Sequence, residues 1–498
     1  MIRTRSGSIT YAELDRDASR AAAAWQELGV GKGDRVVFMA DNGPEFIVAW
    51  LGLAKIGAIL VAVNTRFQAA ETRYLVEHAE PRLLLASAAH AAVLREAAAG
   101  AGRGDALLGL GTAVGDGDFL ERLGRQRDGY DREPLAADDV VSFIYTSGTT
   151  GRPKAVMQTH GNYVLTGQAY PTWLRLDPGA TLYCCLPLFH INAQAYSTMG
   201  TIGLGGTLGL VERFSASLFW DDVRSMGAQA FNYIGAIVAI LMQRRPDRCE
   251  RDHSLRVAYG APSFPVEQRR AIEERLGFTV MSGFGMSETT FGLTEEPVTD
   301  RPSASIGRPR LHPDRRITNE VRLVDDAGVD VPVGQVGELI IRNPVTMKGY
   351  FHDPERTAEA LRDGWLYTGD YARRDEAGFY YYVDRKKDLV RRRGENVSSV
   401  EVELVLMEHP AVEEAAVVGV PAELTDEEIL AIVVPRAGQV PDPGELAAWC
   451  ADRLADFKVP RYVLVVDALP KTPTQKVEKA RLRAELTDRS GWWDREGG

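Results

Sequence analysis

The chain has 498 residues, 45% hydrophobic and 26% charged, the balance of a folded globular protein long enough for more than one domain. Its formal net charge of -11 argues against nucleic acid as a general partner, because that binding needs clustered cations against phosphates. No stretch approaches about 18 consecutive apolar residues and Met1 to Gly7 is polar, so neither membrane insertion nor a signal segment is expected. The four cysteines (Cys184, Cys185, Cys249, Cys450) show no paired framework and no metal-ligand spacing, and a reducing, cytoplasmic setting follows.

In chain order, Ala18 to Leu28 reads as an alanine-rich helix opened near Asp15 and Asp17. Arg35 to Met39 is a strand, Glu45 to Ile56 a helix and Ala58 to Val63 a buried strand, which together predict a βαβ unit and a parallel sheet. Gly100 to Asp118, rich in Gly and Ala without period, reads as a surface loop. Val140 to Ile144 is a buried strand. Gly161 to Gly167 reads as helix, Thr181 to Leu186 as strand, and the glycine-rich Ile202 to Leu210 as another strand. A strand end and a helix follow over Ala230 to Arg244, then a strand from Leu255 to Tyr259, a helix from Gln268 to Leu276 and a strand from Thr279 to Met281.

Near Arg315 the character changes. Short alternating segments continue to Tyr382 and predict antiparallel strands, among them Glu320 to Val324, Gly337 to Arg342 and Gly378 to Val383. Val402 to Met407 reopens helical period, Ala415 to Val420 and Ile429 to Pro435 are strands, Gly444 to Leu454 is a helix and Tyr462 to Val466 a strand. This is a compact α+β module of domain size. The polar tail from Asp488 is expected to fray, unless Trp492 and Trp493 dock.

Chemistry concentrates first in Tyr145-Thr146-Ser147-Gly148-Thr149-Thr150-Gly151-Arg152-Pro153-Lys154. Glycines bring backbone close to a ligand, successive N–H groups make a concave anion site, and hydroxyls add donors. Lys154 places a cation beside them, so the loop suits a polyphosphate. It is not a Walker P-loop, since Gly151 is followed by Arg-Pro-Lys. Only 10 of the 58 basic residues are lysine, which raises interest in Lys154, Lys387 and Lys476 as compact, mobile ammonium groups. Ser282 to Glu288 gathers glycines, an aromatic, a hydroxyl and a carboxylate; taken alone it reads as a strand-to-helix turn. Tyr367-Thr368-Gly369-Asp370 reads alone as an Asp closing a hairpin, Asp384-Arg385-Lys386-Lys387-Asp388 as a charged linker, and the arginines 391 to 393 as a solvated basic face.

The loop from Tyr145 to Lys154 resembles the phosphate-loop signature of the adenylate-forming superfamily, which includes acyl-CoA synthetases, nonribosomal adenylation domains and luciferases. Phe284-Gly285-Met286-Ser287-Glu288 resembles its aromatic-Gly-x-Thr-Glu signature, with Phe for Tyr and Ser for Thr. Thr368-Gly369-Asp370, the stretch Asp384 to Asp388, Gly394 and Lys476 fall in the expected order, and the likeness covers nearly the whole chain. Two departures stand out: Arg393 and Gln475 occupy positions where relatives usually carry glycine.

The resemblance implies an α/β fold. A large N-terminal domain over residues 1–386 holds two α/β sheets and a small β-barrel-like region, and a small mobile α+β domain covers 387–498. It implies ATP, Mg²⁺ and coenzyme A as cofactors and a small-molecule carboxylic acid as substrate. Thr146, Ser147, Gly148, Thr149, Thr150, Gly151 and Lys154 are assigned to the ATP phosphates, and Gly260, Ala261, Ser282, Gly283, Phe284 and Gly285 to the adenosine side. Ser287 takes the α-phosphate and substrate carboxylate, Glu288 holds Mg²⁺, and Asp370, Tyr382 and Arg385 hold the ribose and phosphate. Lys476, Glu288, Ser287 and Thr146 are the catalytic set.

His190, which alone reads as structural, becomes the gate of an acyl tunnel lined by Tyr233, Ile234, Gly235, Tyr259, Gly283 and Phe291; its three rings favour small or cyclic acids. Lys387 is the hinge, and Arg393, Gly394 and Glu395 line the channel for CoA. The run from Arg391 to Glu403 resembles the carnitine/crotonobetaine-CoA ligase-like branch. The reaction implied is acyl-adenylate formation with pyrophosphate release, then transfer to the CoA thiol after rotation of the small domain. Gln475 and Arg393 keep open an adenylating enzyme that serves a carrier-protein thiol, an amine or a partner enzyme instead. A nucleotide binder without catalysis is the third reading, which Lys476, Glu288 and Asp370 oppose. Monomer and homodimer are both open.

Overall fold

The computed structural model describes residues 1–103, 106–115, 117–126, 129–146, 153–244, 250–298, 301–392, 395–422, 427–472 and 476–497. The chain divides into two compact units. One comprises Met1–Val321, Ile341–Tyr367 and Ala377–Tyr380, the other Arg322–Ile340, Thr368–Glu376 and Tyr381–Gly498.

The first unit is built on two sheets. A six-stranded sheet has the order Leu107–Gly109, Leu83–Ala86, Arg35–Met39, Ile59–Ala62, Val140–Thr146, Lys154–Thr159. Its neighbours are parallel except the last pair, which forms an antiparallel hairpin. The expected βαβ unit is present: Arg35 pairs in parallel with Ile59, and the helix Pro44–Lys55 makes the crossover. The strand Leu107–Gly109 lies inside the stretch expected as a loop. Its three buried residues pair with Leu84–Ala86, a contact that a run so poor in period does not announce.

A nine-stranded sheet runs Arg308–Pro309, Thr289–Thr294, Thr279–Met286, Val257–Ala261, Ala230–Ile234, Thr181–Cys184, Thr207–Leu210, Ile2–Arg3, Ser8–Ile9. The segment expected as a strand over 202–210 is strand only from Thr207; its first half ends the helix Met199–Leu204, capped by Gly205 at φ 65°. The first helix starts earlier than its alanines suggest, at Tyr11, because Thr10 and Glu13 close a capping box. Trp25 from that helix stacks on Phe119 at 4.0 Å between ring centroids, inside the main core.

In the second unit a four-stranded sheet has the order Val412–Pro421, Glu427–Pro435, Tyr462–Val465, Trp493–Asp494. Alternate residues fill its two faces: Val417, Ile429, Ala431 and Val463 on one, Val418, Leu430, Ile432 and Tyr462 on the other. The helices Ser399–Met407 and Pro443–Ala451 bury Leu406, Leu446 and Cys450 on the first face. The tail does not simply fray, since Trp493 pairs with Val463 and Trp492 packs against Tyr462. Among the described residues no helix is long and apolar enough to cross a membrane. Cys184, Cys185 and Cys450 are free and buried, and Cys249 lies outside the described residues.

Candidate active site

The phosphate-loop segment hangs on a hairpin. Thr146 ends one strand and Lys154 begins the next, and the two are direct cross-strand partners. Ser147, Gly148, Thr149, Thr150 and Gly151 lie outside the described residues. Below the loop, Tyr145 meets His78 at 2.8 Å between phenol oxygen and Nδ1. Burial pushes the Tyr145 phenol well above its ordinary value and the His78 imidazole below its own.

Lys154 and Glu288 meet on one aromatic ring. The Lys154 ammonium stands 4.5 Å from the centre of the Tyr350 ring, and the Tyr350 phenol donates to Glu288 Oε1 at 2.8 Å. Glu288, 7% exposed, is not in a helix. Ser287 and Glu288 form the tip of a β-hairpin between Thr279–Met286 and Thr289–Thr294, so the strand-to-helix reading of this turn is wrong. The antiparallel return of Thr289–Thr294, whose threonines and Phe291 suit a strand, replaces the expected helix. The tip is fixed from outside: Gln158 Nε2 donates to the Ser287 carbonyl, and Met347 N to the Glu288 carbonyl at 2.8 Å.

Three parallel strand ends form the wall beside this hairpin. Tyr233 pairs with Gly260, Ile234 with Ala261 and Gly260 with Ser282. Only glycine fits at 260, because a Cβ there would come within 2.1 Å of the Tyr233 carbonyl oxygen. Tyr233 is buried and its hydroxyl lies 3.4 Å from Ser282 Oγ. Ile234 is 47% exposed and Gly235 opens the helix that follows. Ser282 N donates to Glu295 at 2.8 Å, and Glu295 sits 3.3 Å from Arg269 and 3.8 Å from Arg301. Burial raises the Glu295 carboxyl despite those two cations.

The side that the resemblance assigns to the acyl group is aromatic. His190 follows Phe189, ring to ring at 4.5 Å, and leads into a π-helix over Asn192–Thr198. Such wide turns are rare and concentrate at functional sites. Its Tyr196 stacks on Tyr170 at 5.1 Å, and Tyr259 and Phe291 complete a cluster with Trp173. Asn232 donates to Asn192 Oδ1 at 2.6 Å and to Ser197 at 3.2 Å, tying the π-helix to the sheet.

The second unit holds the remaining expected groups. Asp370, 1% exposed, stands inside the strand Trp365–Arg374 rather than at a hairpin end, next to Gly369 at φ 69°. Arg385 Nε pairs with its Oδ1 at 2.8 Å and the Tyr382 hydroxyl lies 3.4 Å from the same atom. Burial, then the Asp370 charge, pushes the Tyr382 phenol well up. Lys387 is lowered by burial, and Asp388 beside it pairs with Arg483 at 2.6 Å. Lys476 is exposed, on a loop closed by the Lys471–Val477 bridge and by Thr472 N donating to the Lys476 carbonyl at 2.8 Å. Arg393, Gly394 and Gln475 lie outside the described residues, and Glu395 begins the short strand Glu395–Val397.

Sequence reasoning missed Tyr350, Gln158 and Tyr196. Tyr350 follows Gly349 in an irregular segment, and its partner Glu288 is 62 positions away, so no local pattern marks it. Among the described residues no group of three or more His, Cys, Asp or Glu is placed to hold a metal ion. One buried carboxylate fits Mg²⁺ nonetheless, because that ion binds through one or two carboxylates together with waters and substrate phosphates. Tyr350 occupies one acceptor site of Glu288 and the carboxylate has others.

Comparison with known proteins agrees with this layout. The family described as AMP-binding enzyme matches residues 1–351, and the AMP-binding enzyme C-terminal domain matches 401–476. A crotonobetaine/carnitine–CoA ligase from Salmonella arizonae is 35% identical over 490 residues, covering 95% of this chain and 93% of that protein. ATP-bound MatB from Rhodopseudomonas palustris superposes with a TM-score of 0.88 at 27% identity, over 98% of this chain and 95% of the other. A benzoate CoA ligase from Burkholderia xenovorans LB400 gives 0.85 at 27% identity, over 97% and 96%. The chain belongs to the AMP-binding enzyme family of the adenylate-forming superfamily, and within it to the AMP-forming acid–thiol ligases.

Proposed function

We propose that the chain activates a small carboxylic acid with ATP and passes the acyl group to the thiol of coenzyme A. The observation that carries this reading is the convergence of Lys154 and Glu288 on Tyr350, beside the strand ends at Gly260 and Ser282. A cation at the phosphate loop and a buried carboxylate on one ring suit a magnesium polyphosphate.

The acid's carboxylate attacks the α-phosphate and pyrophosphate leaves. Two anions meet, so catalysis is positioning and charge neutralisation. Thr146, Ser147, Gly148, Thr149, Thr150, Gly151 and Lys154 hold the phosphates. Ser287 orients the carboxylate against the α-phosphate, and Phe284, Gly260 and Ala261 hold the adenine. Asp370, with Tyr382 and Arg385, takes the ribose hydroxyls. Glu288 holds Mg²⁺, which when bound neutralises phosphate charge. Lys476 supplies a further cation in this first half-reaction.

We assign residues 387–498 as the mobile domain with its hinge at Lys387, and Arg393, Gly394 and Glu395 as the channel for CoA in the second half-reaction. His190, Tyr233, Ile234, Gly235, Tyr259, Gly283 and Phe291 bound the acyl group. The rings of Tyr259 and Phe291, packed against Trp173, favour a short or cyclic acid over a long chain. The enzyme works as a monomer or homodimer, without membrane insertion, in the cytoplasm.

Acid-dependent exchange of labelled pyrophosphate into ATP, over a panel of carboxylic acids, tests the first half. Exchange with at least one acid supports adenylation, and ATP binding without exchange for any acid contradicts it. Formation of acyl-CoA on adding CoA separates the ligase from an enzyme serving a carrier protein, an amine or a partner.

A further inference from the structure

Arg310 is 1% exposed and, among the described residues, has no carboxylate within ion-pairing distance. A buried guanidinium without a counter-charge is costly, so whatever offsets the cost is informative. Part of the offset is aromatic: the guanidinium carbon stands 4.7 Å from the Trp173 ring, 5.3 Å from Tyr196 and 5.4 Å from Tyr259. Part is hydrogen bonding: Nε donates to the Leu293 carbonyl at 3.0 Å, and Nη1 to the Tyr196 hydroxyl at 2.7 Å and to the Thr290 carbonyl. Among the described residues Nη2 has no acceptor.

The location is the acyl side of the site. A Cβ added at Gly283 would meet Nη2 at 3.0 Å and the Tyr259 hydroxyl at 2.4 Å, and one at Gly285 would meet the Tyr196 hydroxyl at 2.9 Å. The guanidinium therefore lies directly against the glycine face of the strand that ends at Ser287 and Glu288. It is also surrounded by the π-helix that follows His190 and by two of the residues assigned to the acyl wall, Tyr259 and Gly283. Three rings around a cation are the arrangement that elsewhere binds quaternary ammonium ligands. Here the chain fills that box with its own cation.

We propose that Arg310 is the specificity-determining residue of the acyl pocket. It selects acids that carry a second carboxylate at the end away from the reacting one, and it excludes acids that carry a quaternary ammonium. This rests on the acid-activating reading given above. The unfilled Nη2 edge offers a planar donor to the distal carboxylate. A betaine would meet a fixed positive charge in the place its ammonium needs, and like charges forced together at low dielectric reject a ligand strongly.

The test is acid-dependent pyrophosphate release by the full chain with ATP and Mg²⁺. The acids form matched sets, straight-chain and aromatic: dicarboxylates, the same skeletons without the second carboxylate, and ω-trimethylammonio acids. The wild type is expected to prefer the dicarboxylate of a set by about 10⁴-fold in kcat/KM and to leave the ammonium acids unused, a discrimination of the size that buried polar recognition gives. Arg310→Met is expected to bring the dicarboxylate-to-monocarboxylate ratio of kcat/KM down to about 1 and to admit the ammonium acids, with Arg310→Lys between the two.

A wild type without preference for any dicarboxylate overturns the proposal, whether or not the variants fold. So does an equal loss over all acids in a folded Arg310→Met, which is the mark of a purely structural residue. No acid-dependent release with any acid would overturn the acid-activating reading itself, and this proposal with it.

Discussion

Tyr350 donates its hydroxyl to Glu288 Oε1 at 2.8 Å while its ring lies under the Lys154 ammonium. One residue thus orients a carboxylate through its phenol and a cation through its face. Tyr350→Phe keeps the ring and removes the hydrogen bond. A hydrogen bond to a charged group contributes about 1.5–3 kcal/mol, so the Mg²⁺ concentration for half-maximal pyrophosphate release should rise roughly 10-fold or more. Thermal stability should fall as well, because Glu288 stays buried without that donor, and a Mg²⁺ titration of both proteins below their melting temperatures checks the expectation.

Asp370 is buried and paired with Arg385 at 2.8 Å. Asp370→Asn keeps the shape and removes the charge that pairs with Arg385 and that we assign to the ribose. The KM for ATP should rise by about 10-fold to 100-fold, the span of about 1.5–3 kcal/mol, with a smaller change in kcat. Steady-state kinetics with varied ATP at saturating acid measures this.

At Gly260 the constraint is steric. A methyl group there would lie 2.1 Å from the Tyr233 carbonyl oxygen, so the strand pair must separate. Gly260→Ala should cost about 1–3 kcal/mol of stability and displace the strand end assigned to adenine. Chemical denaturation measures the first effect and loss of pyrophosphate exchange the second.

His78 makes a pH-dependent contribution. Burial, then the neighbouring His352, holds its imidazole below the ordinary 6.5. The unfolded chain therefore takes up the proton first as pH falls, and the stability that depends on neutral His78 is complete above pH 6.5 and lost as pH drops toward the folded value. Melting temperature should fall over that window, and His78→Gln should flatten part of the slope.

Much of the fold was legible because period carries burial. The strands Arg35–Met39 and Val140–Thr146 are mostly apolar runs, as a sheet with both faces covered requires. Leu107–Gly109 escaped because three residues carry no period, and Ile202–Leu204 because glycine-rich helix and strand look alike over so short a span. At the site, residues that stand in a motif of their own drew their assignment in line: Lys154, Ser287, Glu288 and Asp370. Residues that act through a distant partner could not. Tyr350, Gln158 and Arg310 gain their contacts only when the hairpin tip, the π-helix and the strand Thr289–Thr294 come together.

The central claim is tested most directly by acyl-CoA formation from ATP, Mg²⁺, CoA and an accepted acid, for the wild type and Lys476→Ala. The account predicts acid-dependent pyrophosphate release and a CoA thioester from the wild type. In Lys476→Ala the adenylation step should slow by about 100-fold or more, the scale on which one preorganised charge contributes to a transition state, while thioester formation from supplied acyl-adenylate persists. Unchanged release in Lys476→Ala, or release in the wild type with no thioester, would contradict it.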